Sequence, residues 1–185
     1  MLSLVVFAAC GGNDVPAEEV KKDEPLAQRA NSDAFNQSFG NFLDAYYKLK
    51  DALVATNDAD AAAAATALAG AADSLALGEL KADSGIILTA KDFASTIAND
   101  ARAIASAPDV EAKRQAFQPV SDNLYTLLQT VRYDREVVYH QYCPMAFNDQ
   151  GAFWLSNSSE IMNPYFGKKM LHCGEVKDSL DFRGN

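Results

Sequence analysis

Phe35-Asn36-Gln37-Ser38-Phe39-Gly40-Asn41-Phe42-Leu43-Asp44-Ala45-Tyr46-Tyr47-Lys48-Leu49-Lys50-Asp51-Ala52-Leu53 is the stretch that decides the fold. Phe35, Phe39, Phe42, Tyr46, Leu49 and Leu53 recur at alternating steps of four and three. That period places them on one face of a helix, with Asn36, Asn41, Asp44, Lys48 and Lys50 largely off it. Ser32 or Asp33 can cap its start. An aromatic stripe of this spacing reads as core rather than as a cofactor site.

Working outward from that helix, Asn57-Asp58 breaks the pattern and offers a cap for a second helix, Ala59 to Leu75, in which ten of seventeen residues are alanine. Such a segment has high helix propensity and lets a neighbour approach closely. A loop with Gly78 and Asp83-Ser84-Gly85 precedes a third helix, whose buried face is marked by Ile87, Ala90, Phe93, Ala94, Ile97, Ala101 and Ile104 and which ends at Ala107-Pro108. A fourth opens at Asp109 and carries Val110, Phe117, Val120, Leu124, Leu127, Leu128 and Val131. Pro119 inside it predicts a kink or a break. The expected fold is mainly α: an antiparallel four-helix bundle over 33–135 with an irregular C-terminal extension of one short strand and one short helix.

Nothing in 33–135 is arranged for catalysis. It has no histidine, no Gly-rich phosphate loop after a strand and no nucleophile elbow. Asp51, Asp58 and Asp60 are explained by caps and solvated faces. The 185-residue chain carries a net charge of −9, with 49% hydrophobic and 22% charged residues. That composition supports one globular core, and an acidic surface without a basic cluster argues against nucleic acid and anionic membrane surfaces as partners.

At the N-terminus, Leu2 to Ala9 form an apolar run that meets Cys10-Gly11-Gly12-Asn13. The run is too short to span a bilayer, which takes roughly 20 apolar residues. It is similar to a bacterial lipoprotein signal, cut before a lipidated Cys10. No Lys or Arg precedes it and Phe7 stands where Leu is usual, departures consistent with a start upstream of Met1. The segments expected are therefore a signal over 1–10, a disordered tether over 11–32, the bundle over 33–135, a sulfur-rich segment over 136–178 packed on the bundle, and a tail over 179–185. The protein is expected in the periplasm, lipid-anchored, with the outer membrane favoured over the inner.

The chemistry concentrates in 136–178. Both histidines (His140, His172), two of three cysteines (Cys143, Cys173) and two of four methionines (Met145, Met170) fall between positions 140 and 173. Val137-Val138-Tyr139-His140-Gln141-Tyr142 favours a strand. If the chain stays extended through Cys143-Pro144-Met145, both sulfurs project to one side. Asn163-Pro164 is a good helix start, on which Met170 and Cys173 would share a face, with Gly174 suited to its end. Two thiolates and two thioethers are a soft ligand set that selects Cu(I), or Ag(I) by the same logic, with zinc the option if thiolates and imidazoles dominate. His172 or His140 would be an auxiliary ligand, Met162 an outside candidate, and Trp154 could lie against the bound cation. The alternative is a Cys143–Cys173 disulfide closing a loop of about thirty residues, with stabilisation of roughly 3–4 kcal/mol. The aromatic residues Tyr142, Phe153, Trp154, Tyr165 and Phe166 read as a small satellite core, and Lys168 and Lys169 as solvent-facing.

Tyr142-Cys143-Pro144-Met145, Gly151-Ala152-Phe153-Trp154-Leu155-Ser156, Asn163-Pro164-Tyr165-Phe166-Gly167 and Met170-Leu171-His172-Cys173-Gly174 resemble a bacterial family of exported proteins of unknown function. Tyr47-Lys48-Leu49-Lys50-Asp51-Ala52-Leu53-Val54 fits the same family's first helix. Its domain occurs in lone lipoproteins and beside, or fused to, periplasmic adaptor subunits of heavy-metal efflux pumps. The resemblance implies an association with copper or heavy-metal efflux; together with the sulfur cluster, the expectation is a non-enzymatic carrier or buffer of Cu(I) or another soft ion, with a pump adaptor as partner. A weaker likeness is to short heavy-metal-binding modules built on Cys-Pro-Met. Here Ala146 replaces their following His, Met170 stands where the first Cys of their second cluster would be, and Glu175 replaces its last Met.

Overall fold

The computed structural model describes residues 31–184. The signal segment, Cys10 and the tether as far as residue 30 lie outside the described residues. Four long helices form: α1 (Asp33–Ala55), α2 (Asp58–Asp73), α3 (Ser84–Ser106) and α4 (Val110–Val131). Three of them begin at a side-chain cap. Ser32 accepts from Phe35 N–H, Asn57 from Asp60 N–H and Asp109 from Ala112 N–H. Residues 31 and 32, assigned to the tether by composition, are instead anchored, because Asn31 Nδ2 donates to the Val131 and Arg132 carbonyls at the end of α4.

Consecutive helices pack on one another: α1 on α2, α2 on α3 and α3 on α4. The alanine-rich α2 buries Ala61, Ala65, Leu68, Ala69 and Ala72, small side chains that let both neighbours come close. Between α1 and α4 the filling is bulkier, with the Tyr46 ring stacked on Phe117 at 5.1 Å. All six residues of the α1 stripe are fully buried. Asn36 and Lys50, expected off that face, are buried as well. Asn36 Nδ2 donates to Asp134 Oδ1 at 3.1 Å, and Lys50 pairs with Asp51 at 2.8 Å. α4 runs unbroken through Pro119, so no break occurs there.

The C-terminal region departs from the expected strand plus helix. Its three strands, β1 (Val138–Cys143), β2 (Ala152–Ser156) and β3 (Glu175–Leu180), form an antiparallel sheet in the order β2-β1-β3. Val138 pairs with Leu180, so the first residues of the expected tail belong to the sheet. No long helix follows Asn163-Pro164, where the only helical turn is a 3-10 turn over Gly167–Lys169. The Asn163 side chain does cap one turn, its Oδ1 accepting from Tyr165 and Phe166 N–H at 2.8 and 3.2 Å, but Gly167, at φ +54°, leaves the right-handed helical region and ends it. Among the described residues no helix is long and apolar enough to cross a membrane.

The sheet docks on the helices through β2 and α4. Trp154 and Leu155 are fully buried there. The Leu155 N–H donates to the Tyr46 hydroxyl at 3.0 Å, and Ser121 Oγ lies 2.7 Å from the same oxygen. Since Ser121 gives its own proton to the Phe117 carbonyl, Tyr46 is the donor to Ser121. Burial pushes the Tyr46 phenol well above its ordinary pKa, so it stays a neutral donor and acceptor. Tyr46→Phe removes this acceptor and leaves a buried N–H unpaired. It should cost about 1–3 kcal/mol in urea unfolding, and a loss under about 0.5 kcal/mol would contradict the docking role.

Candidate functional site

Strand alternation sorts the residues of β1. Gln141 and Cys143 point inward and are fully buried, whereas His140 and Tyr142 lie on the partly exposed face. His140 is three residues from Cys143, an odd spacing that puts the two on opposite faces of the strand. Its ring is stacked between Tyr125 at 3.9 Å and Phe153 at 4.4 Å. Burial lowers its pKa, with Asp178 opposing. The structure therefore does not bring His140 to the cysteines.

After Cys143 the chain does not stay extended. Met145 adopts right-handed helical angles (φ −90°, ψ −6°), and Phe147, Asn148 and Asp149 all have positive φ, of 53°, 57° and 63°. The turn is closed by Gly151 N–H donating to the Ala146 carbonyl at 2.9 Å. Met145 is 47% exposed while Cys143 is fully buried, so the expected same-side projection of the two sulfurs does not occur.

The second arm also differs from expectation. Met170 has φ −147° and sits at the end of the 3-10 turn, so it shares no helix face with Cys173. A turn links them instead, with Cys173 N–H donating to the Met170 carbonyl at 3.0 Å. Met162 and Met170 are half-buried, and Lys168 and Lys169 are exposed.

The two cysteines nevertheless meet. Cys143 Sγ and Cys173 Sγ are 3.2 Å apart, and both are free thiols. That separation lies between a disulfide of about 2.05 Å and the roughly 3.8 Å expected for two thiolates on a tetrahedral ion with 2.3 Å metal–sulfur bonds. Ion capture requires a small spreading; oxidation requires a closing of about an ångström. Cys143 is fully buried and Cys173 only partly so. The hydrogen bond with Cys143, then burial and the neighbouring thiol's charge, push the Cys173 thiol up to about 11. It is protonated at neutral pH and a poor nucleophile.

Trp154 is on the same face of the sheet as Cys143, two pairs along the ladder, since Gln141 pairs with Trp154 and Cys143 with Ala152. Gly174 lets the chain pass against it. With φ +144°, a Cβ there would come within 2.8 Å of both Trp154 Cη2 and the Tyr142 carbonyl. Trp154 thus borders the backbone that carries Cys173. Tyr165 closes the inner side, its hydroxyl donating to the Phe153 carbonyl and its ring 6.0 Å from Trp154.

His172 is exposed, with Nδ1 3.0 Å from the Ile161 carbonyl. A carbonyl only accepts, so Nδ1 carries the proton and Nε2 the lone pair of the neutral ring. This is the tautomer a metal-ligating histidine adopts. No group of three or more His, Cys, Asp or Glu is close enough to hold a metal among the described residues. Any ion at this site would rest on the thiol pair, since His172 does not group with it.

Two residues given no part in the site by the sequence reading set this geometry. Arg114, 2% exposed, donates to the Pro164 carbonyl, the Leu53 carbonyl, Thr56 Oγ1 and Glu111 Oε1, tying the loop to α1 and α4. Asn163, fully buried, organises the loop before Cys173. Only the Asn-Pro pair hinted at the second.

A family model described as "Protein of unknown function (DUF3347)" matches residues 42–136, just over half of the chain, and the chain belongs to that family. No curated protein and no solved structure matches it. The match runs from within α1 through α4 and ends before β1.

In Cys143→Ala the largest cause of the raised Cys173 pKa is gone. Iodoacetamide trapping at pH 8 should accelerate about tenfold or more; an unchanged rate would show that the two thiols do not share a proton.

Proposed function

We propose that this DUF3347 protein is a non-enzymatic binder of a soft monovalent ion, Cu(I) first and Ag(I) by the same chemistry, held by the Cys143 and Cys173 thiolates. The observation that carries this reading is the approach of the two sulfurs to 3.2 Å from positions thirty apart in the chain. Soft sulfur ligands favour Cu(I) over oxygen-seeking ions. Met170 and Met145 are the nearest thioethers in sequence, while His172, beside Cys173 in the chain, does not group with the two thiols. Zinc fits less well, because among the described residues there is no third His, Cys, Asp or Glu to close a tetrahedral set. The helices, in this reading an up-down four-helix bundle, act as the rigid support.

In the same proposal the protein is exported and tethered through a lipid on Cys10, with the outer membrane favoured, and it buffers or delivers the ion to a periplasmic adaptor of an efflux pump. These parts rest on the N-terminal pattern and on the resemblance drawn from the sequence motifs.

A second reading is favoured by the same distance. In an oxidising compartment the pair closes to a disulfide, and the protein is a stapled scaffold. The two readings separate on a thiol count in protein isolated without reductant: two free thiols support the ion binder, none the scaffold.

Ion uptake must displace the proton held on Cys173 near pKa 11. Apparent Cu(I) affinity, measured against a chromophoric chelator, should therefore rise at least about tenfold per pH unit from pH 7 to 9. Cys143→Ser and Cys173→Ser should each abolish tight binding, while His140→Phe should leave it unchanged. Sub-nanomolar affinity retained in both serine variants would refute the proposal.

A further inference from the structure

Cys173 lies in a stretch between β2 and β3 whose only regular element is a 3-10 turn, yet it meets a fully buried partner on β1. The β1–β3 ladder brings it near Cys143, since Glu175 pairs with Tyr142, but the ladder starts only after Gly174, so Cys173 itself must be held by other contacts. Asn163 is the residue in a position to do so. It is fully buried and uses both ends of its amide: Oδ1 accepts from Tyr165 and Phe166 N–H, and Nδ2 donates to the Cys173 carbonyl at 2.7 Å. Its backbone is engaged too, with its N–H donating to the Leu171 carbonyl at 2.8 Å and its carbonyl accepting from Gly167 N–H at 3.0 Å. One side chain thus spans the ten residues from the turn to the thiol.

The turn it organises is itself fixed to the helices. Arg114 Nε donates to the Pro164 carbonyl at 2.8 Å. At Gly167, φ is +54° and a Cβ would come within 2.6 Å of Thr56 Oγ1, 2.7 Å of the Arg114 guanidinium and 2.9 Å of the Val54 carbonyl. The loop therefore sits against the end of α1 with no room for a side chain there. The path of fixation runs from α1 and α4 through Arg114 and Gly167 to Asn163, and from its Nδ2–H to Cys173.

We infer that Asn163 is the positioning residue that holds Cys173 against Cys143, so that the thiol pair is preorganised before any ion or oxidant arrives. This deepens the ion-binding reading and rests on it for its purpose, but the effect on the thiols is measurable without any metal. A buried amide donor on a carbonyl restricts the thiol-bearing backbone, and restricting two reacting groups raises their effective concentration.

The test uses the full chain and two variants. Asn163→Asp keeps an oxygen for the Tyr165 and Phe166 N–H groups and replaces the donor facing Cys173 with an acceptor. Asn163→Ala removes both functions. The readouts are the dithiol–disulfide equilibrium of Cys143 and Cys173 in a glutathione buffer, the helical far-UV signal, and Cu(I) affinity. The expected result is a fall of about tenfold or more in the thiols' effective concentration in Asn163→Asp, with the helical signal retained and Cu(I) affinity lowered in step. Asn163→Ala should fall at least as far. An unchanged exchange equilibrium in folded Asn163→Asp would overturn the inference. So would loss of the helical signal in Asn163→Asp, which would make Asn163 a general folding residue. If the unsubstituted chain fails to compete for Cu(I), the ion-binding reading falls, while the glutathione equilibrium still decides the role of Asn163.

Discussion

The sheet that carries Cys143 has three short strands and β3 is exposed along nearly its whole length, so it needs support from outside itself. That support is the buried contact between β2 and the helices, where the Tyr46 hydroxyl takes the Leu155 N–H and passes its own proton to Ser121. A backbone donor buried at the helix–sheet seam has no water to turn to, so the hydroxyl fixes both the depth and the register of β2. β1 is then placed by its ladder to β2, and Cys143 by its pairing opposite Ala152. The phenol on the first helix thus acts, through two strands, on the position of a sulfur a hundred residues away.

With Cys143 fixed by the sheet and Cys173 by a loop, the site has one rigid arm and one adjustable arm. This division suits ion capture. The buried thiol supplies a preformed ligand, and the more exposed one can shift by the fraction of an ångström that an ion demands. The raised pKa of Cys173 adds a second property: its thiol keeps its proton at neutral pH, which makes ion binding a competition with protons.

The helices were legible because they obey one strong rule each. The α1 stripe is buried as its spacing demands, and Ser32, Asn57 and Asp109 cap as their chemistry demands. The convergence of Cys143 and Cys173 was visible only as a cluster in sequence; their contact depends on a sheet whose second and third strands left weak traces. Ala152–Ser156 is a short apolar run, and Glu175–Leu180 is exposed and mostly polar, so neither shows a decisive period. Asn163-Pro164 misled for a definite reason: the Asn cap forms, but Gly167, at φ +54° and seated against Arg114 and the end of α1, turns the chain out of the helix after one turn. His140 was readable in principle. Once β1 is a strand, an odd spacing from Cys143 puts the ring on the other face.

The account stands most directly on the first coordination shell of the bound ion. X-ray absorption at the copper edge, recorded on the anaerobically reduced full chain loaded with one equivalent of Cu(I), reads that shell without mutagenesis. The account predicts at least two sulfur neighbours per copper, contributed by Cys143 and Cys173. A shell of nitrogen and oxygen alone would place the ion elsewhere on the protein and leave the thiol pair as a structural staple.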